Sequence, residues 1–161
     1  MIGNWSKPVL YDLTRTSRRA SVPQHLAQLV PESSGTYAIF RSGKFNLFDA
    51  LLDIGECGPR PNSKPHGLRG RLATNVPHSA SEKIARDLRS GDIVEALSVV
   101  WIETPSKDSA KELQDALITL FRLDCSKQPR YNGKREHHPH PDIFRPAYLR
   151  LKVLTGCLEN Q

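Results

Sequence analysis

The chain is poor in sulfur, in long apolar runs and in acidic charge. Only three cysteines occur in 161 residues, Cys57, Cys125 and Cys157, and no two form a CxxC pair. That excludes a disulfide-framed secreted scaffold and points to a reduced, cytoplasmic setting. No apolar run exceeds a few residues, which excludes a membrane-spanning helix. The first seven residues, Met1-Ile2-Gly3-Asn4-Trp5-Ser6-Lys7, lack the apolar centre of a secretory signal. No internal repeat is present. Acidic side chains number 17 against 23 lysines and arginines, a net charge of +6. Residues 1–72 hold 10 basic and 5 acidic side chains, residues 73–121 hold 5 and 8, and residues 122–161 hold 8 and 4. The basic excess therefore flanks an acidic middle, and a polyanion is the partner such a charge pattern suits.

A chain of this length makes one domain, large enough to bury about two thirds of its unfolded surface. Pro8-Val9-Leu10-Tyr11 reads as a short strand. Ser21-Val22-Pro23 reads as the start of a helix that runs past Leu26 and Leu29 and stops before Pro31. Two apolar runs, Gly35–Phe40 and Leu51–Glu56, with the turn-like Arg41-Ser42-Gly43-Lys44 between them, predict a β-hairpin. Cys57–His66, with three prolines and the basic Arg60 and Lys64, predicts an exposed loop, and Gly67 opens a helix. Ser79-Ala80-Ser81-Glu82 begins a helix ending at Gly91. Ile93–Ile102 is a nearly continuous apolar strand, suited to burial on both faces. Beyond Thr104-Pro105, Ala110, Leu113, Leu117, Leu120 and Phe121 recur at helical spacing and mark the core-facing helix. Pro146–Leu154 alternates like a half-buried strand. The expectation is an α/β (α+β) domain with a three-stranded, largely antiparallel sheet flanked by helices. Its core spans residues 35–132, with an N-terminal extension over 1–34 and a C-terminal one over 133–161.

Five short segments within that core occur in a telling order. Gly35-Thr36-Tyr37 is followed by Asp53-Ile54-Gly55, then by Leu68-Arg69-Gly70-Arg71-Leu72. Leu113-Gln114-Asp115-Ala116-Leu117-Ile118 and Pro129-Arg130-Tyr131-Asn132 complete the set. In this order they resemble the GIY-YIG nuclease superfamily. The resemblance implies a DNA endonuclease, double-stranded DNA as partner, and one Mg²⁺ (or Mn²⁺) as cofactor. It implies that Tyr37 orients or activates the water, that Arg71 clamps the phosphate, and that Asn132 fixes local geometry. Residue 114 would be the metal ligand. Cleavage of both strands by such a domain favours a homodimer. Arg69, Arg60, Lys64, Arg130, Lys134 and Arg135 are the candidate nucleic-acid contacts.

Two departures bear on the chemistry. Gln114 stands where the family has glutamate, keeping the shape but not the charge that a hard cation prefers. The substitution fits an inactivated nuclease, engineered or natural, and the alternative function is a DNA-binding protein that no longer cleaves. Restoring glutamate at 114 is expected to confer Mg²⁺-dependent cleavage. Glu112 is no replacement, because it lies about 200° around the helix from Gln114. Asp53 replaces the second tyrosine and joins the site at its edge, and Glu56 is a further carboxylate nearby. His137, His138 and His140 with Cys125 fit no standard zinc spacing.

Overall fold

The structure is a computed structural model that describes residues 3–13, 24–60, 62, 66–73, 79–133, 135 and 137–157. The described residues include four strands: β1 (Val9–Leu10), β2 (Gly35–Arg41), β3 (Leu51–Cys57) and β4 (Leu97–Glu103). They form one antiparallel sheet in the order β1-β4-β2-β3. The fold is α+β, with a four-stranded sheet where the sequence predicted a three-stranded one, because the short strand expected at Pro8–Tyr11 joins it. The fourth is the N-terminal pair, bound through Val9 opposite Val99 and Leu10 opposite Ser98.

β2 lies between β4 and β3, and its first six residues are all buried. Alternation along it separates two apolar layers. Tyr37 and Ile39 face one, with Leu26, Val30, Leu68, Leu72, Ile84 and Leu88. Ala38 and Phe40 face the other, with Val100, Ile102, Leu113, Leu117 and Phe121. The first layer is roofed by α1 (Gln24–Leu29), α3 (Gly67–Leu72) and α4 (Ser79–Ser90); the second by α5 (Lys107–Cys125) and α6 (Arg145–Leu154). α5 starts at Ser106, whose hydroxyl accepts the Ser109 N–H at 3.1 Å, and ends where Ser126 turns left-handed at φ 59°.

Three local expectations are corrected. Pro146–Leu154 is helical, not a strand: Pro146 sits in the first turn of α6, where its missing N–H costs nothing. Buried Tyr148 and Leu151 then fall three residues apart on one helix face. Tyr148 fixes that face by donating its hydroxyl proton to Asp124 at 2.8 Å. The third predicted strand begins at Leu97 rather than Ile93, whose N–H bonds Asp87 O at 3.1 Å as the turn after α4. The hairpin is joined not by a simple turn but by a four-residue helix, α2 (Leu47–Ala50), capped by the Asn46 side chain. The start of the first predicted helix at Ser21 lies outside the described residues. Residues before 35 share the core: Tyr11, Leu13, Leu26 and Val30 are all buried in the first layer.

Candidate active site

The site forms at β3, the edge strand of the sheet. Tyr37 on β2 lies directly opposite Gly55 on β3. Its phenol crosses that glycine so closely that a Cβ at position 55 would overlap the ring. The glycine of the second motif is thus the floor on which the tyrosine of the first rests. Gly35 has an equivalent duty, since a Cβ there would strike Ile102 O and the Leu68 side chain of α3.

From this floor the Tyr37 hydroxyl donates a hydrogen bond to Asp53, which lies opposite Ile39 beside a register shift at Ile39/Phe40. Such bulges re-aim side chains. Asp53 is 3% exposed, and its Oδ2 has no hydrogen-bond partner. Burial pushes the Asp53 carboxyl up to about 7, against the pull of Arg71, Arg135, Lys83 and the Tyr37 hydrogen bond. Burial, reinforced by the nearby Asp53, also drives the Tyr37 phenol well above its usual range, with Arg71 opposing. Tyr37 is therefore a neutral hydroxyl, able to orient a water but a weak base by itself.

α3 presents two arginines with different duties. Arg69 donates Nε–H to Val30 O at 2.8 Å, and its Nη1 lies 3.9 Å from Glu32, so it ties α3 to the end of α1. Arg71, two residues on, points the other way into the cleft, and it has no ion-pair partner among the described residues.

Gln114 and Asn132 close the open edge of β3. Asn132 mimics a neighbouring strand: its Nδ2 donates to Ile54 O at 2.7 Å, and its Oδ1 accepts the Ile54 N–H at 3.0 Å. Tyr131 N–H adds a bond to Leu52 O at 3.0 Å. From the opposite layer, Gln114 Nε2 donates to the same Ile54 O at 2.8 Å. A carbonyl can accept only from the NH₂ end of the amide, which fixes its orientation and leaves Gln114 Oε1 buried without a partner. Gln114 is therefore built into the fold as a donor, a task glutamate cannot perform when ionised.

Tyr37, Asp53, Arg71, Gln114 and Asn132 thus line one open polar cleft, with Glu56 and Arg135 at its walls. The remaining basic candidates diverge. Arg135 lines the cleft, 4.0 Å from Asp115. Arg60 is exposed on the loop after β3. Arg130 is paired with Asp87 at 3.1 Å and lies 5.3 Å from the Tyr131 ring centre. Lys64 and Lys134 lie outside the described residues. Two groups escaped the sequence reading. Tyr11, just past β1, is fully buried; burial raises its phenol, and the charges of Asp53 and Arg71 also reach it. Lys83 on α4 acts electrostatically on Asp53. Neither belongs to a motif, and only the packing of β1 and α4 over the first layer brings them in.

His138 is packed rather than poised for zinc: its N–H bonds Thr119 Oγ1 at 2.9 Å and its ring meets Phe144 edge-on. Among the described residues no group of three His, Cys, Asp or Glu side chains could hold a metal ion. The cleft does contain three buried oxygens without partners, Asp53 Oδ2, Glu56 Oε2 and Gln114 Oε1. Mg²⁺ is held by one or two carboxylates and keeps several of its waters, so this donor set fits a hydrated Mg²⁺ or Mn²⁺. No family model, curated protein or solved structure matches the chain.

Proposed function

We propose that the chain is a DNA endonuclease of the GIY-YIG type that hydrolyses phosphodiester bonds of double-stranded DNA. The observation that carries this reading is the convergence of Tyr37, Asp53, Arg71, Gln114 and Asn132, from five separate segments, on one polar cleft. Arg71 is always charged and unpaired among the described residues, so it clamps the non-bridging oxygens of the scissile phosphate and stabilises the charge that develops there. Tyr37 directs its proton to Asp53, which leaves the lone pairs of its oxygen to orient the attacking water and makes that oxygen a better acceptor. Asn132 holds the Ile54 peptide, and thereby the position of Asp53, by two hydrogen bonds. A Mg²⁺ or Mn²⁺ ion, when bound through Asp53 and Gln114, supplies positive charge at the leaving oxygen. Arg135, Lys83 and Arg60 contribute contacts to neighbouring phosphates. One cleft per chain serves one strand, so cleavage of both calls for a homodimer.

A second reading, a DNA-binding protein without cleavage activity, draws on the replacement of a charged residue by Gln114. The two separate in one experiment on supercoiled plasmid. The nuclease reading expects Mg²⁺-dependent nicking that EDTA abolishes and that Arg71→Ala and Tyr37→Phe depress. Retarded plasmid mobility with no nicking by the native chain favours the binding protein.

A further inference from the structure

We propose that Asp53, not the residue at position 114, is the anionic ligand of a divalent-cation site, with Gln114 supplying a neutral oxygen. The inference deepens the nuclease reading and rests on it. Its starting point is the division of labour at Ile54. Gln114 Nε2 and Asn132 Nδ2 both donate to Ile54 O, at 2.8 and 2.7 Å. A carboxylate at 114 would set a second oxygen against that carbonyl in a site only 2% exposed, where oxygen–oxygen repulsion is poorly screened. Position 114 therefore favours an amide, and an anionic ligand has to come from elsewhere.

Asp53 meets the requirement more fully than Glu56, whose Oε2 is also buried without a partner on this cleft but which as a residue is only half-buried. It adjoins Ile54, so the hydrogen bonds that fix Ile54 also fix Asp53 relative to Gln114. One of its oxygens receives the Tyr37 proton, and the other is buried without a partner. Gln114 Oε1 has the same standing on the same cleft. Two buried unpartnered oxygens, each more than nine-tenths covered, are costly unless a cation or water answers them. A hard divalent ion coordinated by one carboxylate, one amide oxygen and water answers both. The charges of Arg71, Arg135 and Lys83 disfavour a bare ion here and favour one that arrives with phosphate, so affinity rises when a phosphodiester occupies the cleft.

The test is a Mn²⁺ titration of the full chain followed by paramagnetic broadening of backbone amide signals, alone and with a short duplex DNA. The native chain is expected to lose the signals of Tyr37, Ile54, Gly55 and Asn132 first, at lower Mn²⁺ when duplex is present. Asp53→Asn is expected to weaken binding by about tenfold or more. Gln114→Glu is expected to bind no more tightly and to melt earlier. The assignment is overturned if Asp53→Asn broadens as the native chain does. It is equally overturned if Gln114→Glu binds tighter with an unchanged melting temperature, or if millimolar Mn²⁺ leaves the native cleft signals intact. The nuclease reading is judged separately. Plasmid nicking with unaltered Mn²⁺ binding in Asp53→Asn sinks only this inference, and specific broadening without nicking sinks only the nuclease.

Discussion

Replacing Asp53 by asparagine should make the protein's stability less sensitive to pH, even as it disables the site. Burial raises the Asp53 carboxyl from 3.8 to about 7 in the folded chain. Between those values the folded state holds a proton that the unfolded state has released, so unfolding is favoured as pH rises. The contribution is most favourable below about 4, is lost progressively up to about 7, and stays lost above it. A shift of about 3 units corresponds to about 4 kcal/mol in full, of which about 2.5 kcal/mol falls between pH 5 and pH 8. Asparagine cannot titrate, yet its Oδ1 still accepts the Tyr37 hydroxyl. Its NH₂ group takes the place of Oδ2 beside the unpartnered oxygens of the cleft, and the effect of that exchange is independent of pH. Urea unfolding of both forms in EDTA at pH 5 and pH 8 reads the difference directly. The stability of Asp53→Asn relative to the native chain should improve by about 2–3 kcal/mol from the lower pH to the higher. Parallel pH dependence in the two proteins would refute the reasoning, because it would mean that Asp53 is ionised and solvated like a surface carboxylate.

Three further outcomes are expected. Gly55→Ala should cost about 1–3 kcal/mol by thermal unfolding and displace the Tyr37 ring, detectable as a shifted aromatic NMR signal, because the new methyl overlaps the phenol. Burial raises Asp87, but the Tyr131 hydroxyl at 2.6 Å with Arg86 and Arg130 outweighs it and holds the carboxyl below 3.8. That stabilisation is complete above about pH 4 and lost as pH falls through the lowered value, so Asp87→Asn should narrow the acid-induced loss of stability seen by circular dichroism. DNA affinity should fall steeply with salt, and Arg135→Ala should reduce the slope of log K against log salt by about 1, measured by fluorescence anisotropy; an unchanged slope would remove Arg135 from the phosphate contacts.

The elements that carry strong apolar periodicity were legible in the sequence. β2, β3 and α5 lie close to where their patterns put them, because their side chains face layers on one or both sides. Pro146–Leu154 reads as a strand because Ala147, Leu149, Leu151 and Val153 have a period of two, while Tyr148 and Leu151 lie on one helix face, and only packing against α5 decides between them. Pro8–Tyr11 marks β1 as a strand, but its two residues are too few for a periodicity that would place it in the sheet, and it joins there because β4 offers an edge. Within the site, the motifs marked Tyr37, Arg71, Asn132 and residue 114. They did not disclose that Gln114 and Asn132 share a carbonyl, that Asp53 is the buried carboxylate beneath Tyr37, or that Tyr11 and Lys83 stand near it. Those facts depend on register and on which side of an edge strand is closed by which loop. Arg69 illustrates the limit: next to Arg71 in the motif, it is bonded to the backbone of Val30 instead.

That contrast supplies the most direct test of the claim that this cleft handles a phosphodiester. Mg²⁺-dependent nicking of plasmid and melting temperature are measured for Arg71→Ala and Arg69→Ala under the same conditions. The account predicts that Arg71→Ala loses about a hundredfold or more in cleavage rate with little change in melting temperature. Arg69→Ala should melt lower yet cleave, per folded molecule, nearly as the native chain does. Equal losses of cleavage from both, or a cleaving Arg71→Ala, would contradict it.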